Sequence, residues 1–273
     1  MNKIKDRLIK EKEANITLKI EDIAGRDDAV RVCGKGELHL AVLLETLRRE
    51  GYECAISKPQ VITKEENGVT LEPFEKVHVE VPEKLSGGII EDLSRRKGEM
   101  QTLETTENGI TLITFLMPTR GLMGYRSEFI TKTSGLGILT SVFSCFAPKK
   151  EISRTRLRGV LIANAPGKAN GYACFNLQNR GTLFVQPGDD VYEGSIVGEH
   201  SRDNDLVVNI VKAKQLTNVR ASGTDENILL TPPRKFILED AIDYIEDDEL
   251  LEITPKSLRM RKKYLKEHER KRK

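Results

Sequence analysis

The 273-residue sequence has no tryptophan, and aromatic residues make up only 5% of it, so its cores must be mainly aliphatic. It has no uninterrupted apolar run close to the ~20 residues that a membrane-spanning helix needs. Residues 1–13 are charged at short intervals and lack the apolar segment of a secretory signal peptide. These absences predict a water-soluble, cytoplasmic protein.

Cysteine is also scarce. The four cysteines, Cys33, Cys54, Cys145 and Cys174, stand singly and far apart in the sequence. This pattern predicts reduced, buried thiols rather than a disulfide framework or a zinc site. The histidines show no H-x-x-x-H or Cys-His spacing, so we expect no bound metal.

Motifs for catalysis and nucleotide binding are missing as well. There is no G-x-x-x-x-G-K-[ST] loop for phosphates, and the D-x-x-G element at residues 22–25 is short enough to occur by chance. The Gly-Lys-Gly at residues 34–36 lacks the third glycine of a dinucleotide fingerprint, because His39 stands in that position. No spaced Ser, His and Asp set indicates a triad. We therefore expect no catalytic residue and no cofactor in this chain.

Charge is distributed unevenly, although the formal net charge is only +2. Residues 239–252 hold eight acidic side chains and no basic one, whereas residues 256–273 hold ten Lys or Arg against two Glu. A basic block of this size can attract a polyanion. A solvated chain terminus explains it equally well on charge alone.

Hydrophobic periodicity predicts the elements of the first half of the chain. Residues 3–57 follow the pattern helix, strand, strand, helix, strand, with the first strand at residues 16–20. A complete ferredoxin-like split βαβ unit would begin with one more strand, so we expect the chain to start inside such a domain. Residues 74–146 then repeat the pattern in full, with a hairpin around Glu107-Asn108-Gly109 and a helix over 121–133.

The second half of the chain has a different sequence pattern. Short apolar runs, including residues 173–177, alternate with turns rich in Gly, Pro and Asn and predict a mostly β domain. Residues 213–227 lack apolar periodicity and predict a long exposed loop, and Thr254-Pro255 is expected to open a basic terminal helix. The predicted class is α+β. It comprises three domains. Residues 1–70 form a ferredoxin-like domain that lacks its first strand, residues 71–150 form a complete ferredoxin-like domain, and residues 151–273 form a mostly β C-terminal domain.

Basic residues recur at three further places in the sequence. Two arginines flank a predicted helix start near residue 120, several lysines and arginines crowd residues 149–158, and others lie on the predicted loop. Arginines and helix N-termini are both good phosphate ligands. Each cluster alone is ordinary solvated surface, but their recurrence together with the basic tail favours folded RNA as a partner.

Four sequence motifs carry a family resemblance. GKGELHL at residues 34–40 resembles the third-domain signature of translational GTPases related to elongation factor G, and PTRGLMGYRSEF at residues 118–129 resembles their fifth-domain motif. Residues 216–226 (LTNVRASGTDE), and residues 247–250 (DDEL) with 254–257 (TPKS), are similar only to the BipA or TypA family of these GTPases. The resemblance spans essentially the whole chain.

The resemblance implies a ribosome-binding fragment that lacks the GTPase domain. It implies a third domain, a fifth domain and the C-terminal domain peculiar to this family. The implied partners are the 70S ribosome and 50S subunit, large-subunit rRNA and A-site tRNA, with roles in ribosome assembly and in translation under stress. GTP and Mg would bind only in the missing domain, so this chain would be a monomer without enzyme activity. The alternative is a protein-interaction or regulatory module whose basic tail is merely solubilising.

The basic clusters and the motifs together give a set of predicted RNA contacts. They are Arg120, Arg126, Lys149, Lys150, Arg154, Lys212, Lys214, Thr217, Asn218, Arg220, Ser222, Lys256, Arg259, Arg261, Lys262 and Lys263.

Overall fold

A computed structural model describes residues 2–151, 156, 158–213 and 229–271 of the chain. Contacts between Cα atoms divide the chain into two units. One unit combines Met1–Lys58 with Arg156–Lys273, and the other is Pro59–Thr155. The first unit is therefore built from two segments that are far apart in sequence. The three domain ranges given above stay predictions.

The segment Met1–Lys58 contains the predicted order of elements. These are α1 (Asn2–Ala14), β1 (Lys19–Ile23), β2 (Arg26–Cys33), α2 (Glu37–Arg49) and β3 (Cys54–Ser57). The strands β1 and β2 form an antiparallel hairpin, and Leu8, Leu43 and Leu47 of the two helices pack with Leu18 in one buried cluster. The first strand begins at Lys19 rather than at residue 16. The Asn15 carboxamide oxygen accepts hydrogen bonds from the backbone N–H and the hydroxyl of Thr17, and these bonds hold the preceding residues in a turn.

The unit Pro59–Thr155 is a ferredoxin-like fold, which confirms the predicted class. Its elements are β4 (Lys64–Glu66), β5 (Val69–Pro82), α3 (Glu83–Arg95), β6 (Glu99–Thr105), β7 (Ile110–Pro118), α4 (Thr119–Leu122), α5 (Tyr125–Lys132) and β8 (Ile138–Pro148). Antiparallel pairing places β5 between β8 and β7, with β6 beyond β7. The predicted hairpin is present, and Gly109 takes the left-handed φ of +72° that its turn requires.

The helices of this unit cover one face of its sheet. Val77, Val79 and Val81 alternate along β5 and pack with Leu93 of α3 and Phe129 of α5, all fully or almost fully buried. This alternation explains why the repeated pattern that begins at residue 74 was predicted correctly to open with a strand.

The prediction of buried thiols is wrong for Cys145, because most residues of β8, including this one, are exposed.

The predicted helix over residues 121–133 is wrong in one respect, because it is broken into α4 and α5. Gly124 takes the left-handed conformation, with φ +69°, between the two helices. The carbonyl oxygens of Gly121 and Met123 accept hydrogen bonds from the Arg96 guanidinium at 3.1 and 3.2 Å. The broken end is therefore capped by a side chain from outside the helix.

The segment Arg156–Lys273 consists of short elements. They are β9 (Val160–Ala163), β10 (Gly167–Lys168), α6 (Gly171–Leu177), β11 (Gly181–Leu183), β12 (Asp190–Val191), β13 (Ile196–His200), β14 (Leu206–Val208), α7 (Leu238–Tyr244), β15 (Glu249–Ile253), β16 (Leu258–Lys262) and α8 (Glu267–Arg270). One sheet has the order β11-β13-β9-β14, and β10 pairs with β12.

A three-stranded antiparallel sheet joins the two segments of the first unit. Its order is β16-β15-β3, so a strand from the N-terminal segment pairs with one nearly 200 residues later. Ala41 of α2 shares a buried cluster with Leu251 and Ile253 of β15 and with Ala241 and Ile242 of α7. The two segments thus form one core.

Two predictions for the C-terminal segment are wrong. Residues 173–177 are not a strand but belong to α6, because the Asn170 side chain accepts a hydrogen bond from Tyr172 N–H and caps the helix. The predicted basic terminal helix is instead the strand β16 followed by the short α8. The Thr254 hydroxyl donates a hydrogen bond to the Ser257 carbonyl oxygen and accepts one from the Ser257 N–H. These bonds close a turn after which β16 pairs antiparallel with β15.

Among the described residues, no helix combines the length and the apolar character needed to cross a bilayer.

We predict that Gly121→Ala destabilises the protein by about 1–3 kcal/mol, because a Cβ atom there would lie 2.6 Å from the Arg96 carbonyl oxygen. Gly88→Ala is the matched control, since Gly88 is exposed within α3 and nothing lies within 4 Å of its added Cβ. It should leave stability unchanged or raise it by up to about 1 kcal/mol. Urea unfolding followed by circular dichroism measures both, and equal effects would contradict the packing described.

Candidate nucleic-acid interface

The Arg120 guanidinium is paired within the protein, and its side chain is 27% exposed. Its Nε and Nη2 atoms donate to the carboxylate of Glu72 at 2.5 and 3.1 Å, and Nη2 also donates to the Lys150 carbonyl at 2.7 Å. Glu72 has no exposed surface. Arg120 therefore neutralises a buried carboxylate and ties α4 to the ends of β5 and β8.

Lys150 belongs to the same network. Its backbone N–H donates to Glu72 at 2.9 Å, and its ammonium contacts Glu99 at 2.7 Å and the Lys97 carbonyl at 3.2 Å. Lys149 and Arg126 differ from it, because both side chains are exposed and neither has an ion pair among the described residues. Of the predicted contacts in this unit that the structure describes, Lys149 and Arg126 are available to an external anion.

Lys262 lies beneath the surface of the other unit. Its ammonium contacts Asp205 at 2.7 Å, Asp248 at 2.8 Å and Glu249 at 2.9 Å, and only 3% of its side chain is exposed. Glu249 also receives two hydrogen bonds from Arg156, at 2.8 and 2.9 Å. We call Arg156, Asp205, Asp248, Glu249 and Lys262 the buried ion cluster, because Glu249 and Lys262 at its centre are buried, although Asp205 and Asp248 are partly exposed. The cluster joins the start of the second segment to β15 and β16.

Contacts within the buried ion cluster shift the pKa values of Glu249 and Lys262. Burial alone would raise the pKa of Glu249, but the hydrogen bonds from Arg156 and the nearby Lys262 charge outweigh burial and lower it. Burial likewise opposes the charge on Lys262, yet Glu249, Asp205 and Asp248 raise its pKa. Glu249 and Lys262 are therefore both ionised at neutral pH. Lys262 does not present its charge to solvent, and its prediction as an RNA contact does not fit this placement.

Arg261 is paired as well, whereas three other cations of the basic tail form no salt bridge among the described residues. Its Nε donates to Glu252 at 2.8 Å, and the same carboxylate accepts a hydrogen bond from the Tyr192 hydroxyl at 2.7 Å. The side chains of Lys256, Arg259 and Lys263 are exposed, and no carboxylate within the described ranges forms a salt bridge with them. The basic tail thus divides into buried or paired cations and free ones.

A groove of about 760 Å³ brings Lys256 and Arg259 close to basic residues that sequence reasoning missed. Further cations line it from the end of α2 and from the chain before α7: Arg48, Arg49, Arg234 and Lys235. The signal available was two adjacent basic pairs, at residues 48–49 and 234–235. Neither pair lies in a longer run of basic residues. The sequence alone therefore could not distinguish a binding site at these pairs from a solvated helix end or loop.

Several predicted contacts lie outside the residues that the structure describes. They are Arg154, Lys214, Thr217, Asn218, Arg220 and Ser222. Lys212 is the last predicted loop contact that is described, and its side chain is exposed. Among the described residues, no group of three or more His, Cys, Asp or Glu side chains is arranged to hold a metal ion.

Comparison with known proteins separates the chain into two matched regions. The family model for the elongation factor G C-terminus matches residues 69–156, and the model for the TypA/BipA C-terminal domain matches residues 158–267. The chain belongs to the TypA/BipA family. It corresponds to the C-terminal portion, as the sequence motifs predicted. Arg126 and Lys149 lie in the first matched region of this family member, and Lys256, Arg259 and Lys263 lie in the second.

Relatives in the TypA/BipA family match along nearly the whole chain. A Haemophilus influenzae protein named as the large ribosomal subunit assembly factor BipA is 50% identical over 271 residues, which are 98% of this chain and 44% of that protein. Proteins of the same name from Salmonella typhimurium and Bacillus subtilis are 48% and 45% identical with the same coverage. The chain therefore spans less than half the length of these curated relatives.

We predict that Lys262→Met lowers the free energy of unfolding by about 2 kcal/mol, because it removes one of the two cations that bind the fully buried Glu249 carboxylate and leaves only Arg156. Lys263→Met is the matched control, since the adjacent side chain is exposed, and it should change stability by less than about 0.5 kcal/mol. Urea unfolding at pH 7 compares the two variants. Similar losses in both would mean that the buried ion cluster does not stabilise the fold.

The lowered pKa of Glu249 also predicts how stability depends on pH. A carboxyl whose pKa is lower in the folded state contributes stability above its unfolded value, 4.5 for this group, and loses that contribution as the pH falls through the folded pKa. Asp205 behaves in the same way, with a lowered pKa. We expect the melting temperature to fall on acidification below about pH 4.5, and to fall less steeply in Lys262→Met. Parallel acid profiles would contradict this account.

Proposed function

We propose that this chain docks onto the large ribosomal subunit by binding rRNA phosphates, and that it acts in assembly of that subunit. The observation that carries the proposal is a set of exposed cations on a folded scaffold, for which the described residues supply no counter-ion: Arg126, Lys149, Lys256, Arg259 and Lys263. The relatives named as large ribosomal subunit assembly factors support the same role.

The proposed mechanism is electrostatic recognition of RNA shape. Free Lys and Arg side chains neutralise backbone phosphates and release condensed counterions, which gives affinity without sequence specificity. The internally paired cations have a different role in this proposal. Arg120 and Lys262 hold strand ends in place, so that the exposed side chains near them keep a fixed spacing. Base-specific contacts should be few.

The finer parts of the proposal follow from the family. We propose that A-site tRNA is a second partner, contacted by the C-terminal segment, and that the role extends to translation under stress in the cytoplasm. Hydrolysis of GTP is assigned to no residue of this chain, and any GTP and Mg would bind elsewhere in the full-length protein. The chain would act as a monomer and as a binding portion rather than as an enzyme.

The alternative is a protein-interaction module with a solubilising basic tail. Deleting residues 256–273 would not separate the two hypotheses, because the deletion removes β16 and takes Lys262 from the buried ion cluster. Neutralising exposed residues avoids this problem, since it leaves β16 and the buried ion cluster in place.

We predict that binding of the chain to purified large ribosomal subunits weakens steeply with salt. The double variant Arg126→Gln with Lys149→Gln should reduce the slope of log K against log salt by about 2, because each phosphate contact contributes about 1. Exposed Lys10 and Lys12 on α1, changed together to Gln, form the control, which should leave the slope unchanged. A flat salt response of the unaltered chain would favour the interaction module.

A further inference from the structure

The groove in the first unit is formed by four separate stretches of chain. They are the end of α2, the residues around β12 and β13, the chain leading into α7, and the turn into β16. Its volume of about 760 Å³ is within the ~300–1,000 Å³ typical of ligand sites, and it is open to solvent rather than enclosed. An open groove of this size suits an extended polymer segment better than a buried small molecule.

Charge along the groove is mixed, with free cations at its rim. Six cations and four carboxylates line it, so the net charge of the lining is +2 (six minus four). Glu45 is occupied by Arg48 at 3.2 Å and by Arg49 at 2.9 Å. Lys235, Lys256 and Arg259 are exposed, and among the residues with described positions none forms a salt bridge with them. These three side chains are available to phosphates.

One wall of the groove carries an arginine packed over aromatic rings. The Arg234 guanidinium lies 4.5 Å from the centroid of the Phe236 ring and 5.6 Å from that of Tyr244. Phe184 packs edge-on against both rings, at 4.9 and 5.5 Å, which fixes the rings in place. Arg234 remains 48% exposed, although its Nη1 atom also forms an ion pair with Glu199 at 3.6 Å. An exposed guanidinium over aromatic rings offers a planar group on which a nucleobase can stack.

We propose that this groove binds a single-stranded RNA segment, with a base stacked on Arg234 and adjacent phosphates contacted by Lys235, Lys256 and Arg259. The proposal rests on the RNA-docking function and assigns one form of RNA to one site. A duplex does not fit this geometry, because its bases are stacked on each other and cannot reach the guanidinium. An acidic peptide would satisfy the cations but would leave the stacking surface unused.

The test is fluorescence anisotropy of the full chain with a fluorescein-labelled single-stranded RNA that has no self-complementary sequence. The same strand annealed to its complement is the comparison, and it should bind more weakly. Arg234→Lys keeps the charge and removes the planar group, so single-strand affinity should fall about tenfold while duplex affinity stays the same. Unchanged single-strand affinity in this variant would overturn the proposal.

A second variant keeps the proposal testable if Arg234→Lys unfolds the protein. Lys256→Gln with Arg259→Gln alters only exposed side chains, and it should reduce the salt slope of single-strand binding by about 1.4. The matched Lys10→Gln with Lys12→Gln pair should leave that slope intact. An unchanged slope in the groove variant would overturn the proposal, and so would displacement of the RNA by polyglutamate as readily as by unlabelled strand.

Failure here is distinguishable from failure of the proposed function. If large-subunit binding stays steeply salt-dependent while the groove variants bind single-stranded RNA normally, the groove proposal is wrong and the docking function stands. If large-subunit binding does not respond to salt, the docking function itself is wrong.

Discussion

Neutralisation of the buried Glu249 carboxylate is the interaction on which the first unit depends. Glu249 has no exposed surface, and Arg156 and Lys262 bind it from opposite ends of the C-terminal segment. A buried charge without a partner is strongly destabilising, so all three residues must be in place together. The interaction fixes β15 and β16, and β15 in turn pairs with β3 of the N-terminal segment. The rim residues Lys256 and Arg259 owe their positions to this arrangement.

The structure also divides the basic residues by role. Arg120, Arg156 and Lys262 each bind a carboxylate with no exposed surface, and so maintain the fold. Arg126 and Lys149 remain exposed and free to meet a polyanion. A count of Lys and Arg in the sequence cannot make this distinction, because a cation's partner is set by tertiary contacts. The surface charge that RNA would meet is therefore smaller than the basic tail suggests.

Elements with a clear period were predictable from the sequence. Val77, Val79 and Val81 alternate because one face of β5 is buried, and the Asn-Gly turn at residues 108–109 indicated its hairpin. The short apolar run at residues 173–177 was ambiguous, because five residues cannot separate a buried strand from one turn of helix. In β16 the buried positions are Met260 and Lys262. Because one of these is a lysine, the sequence did not show the alternation of apolar and polar residues that indicates a strand. The pairing of β3 with β15 is non-local and left no sequence signal.

The central claim is that this chain binds large-subunit rRNA through the sugar-phosphate backbone. Hydroxyl-radical footprinting of the chain on purified large subunits tests it directly, because the radical cleaves at riboses and reports backbone contact. The account predicts ribose protections in large-subunit rRNA that disappear as salt is raised. Stable binding to the subunit without any rRNA protection would contradict it and would assign the contact to ribosomal proteins.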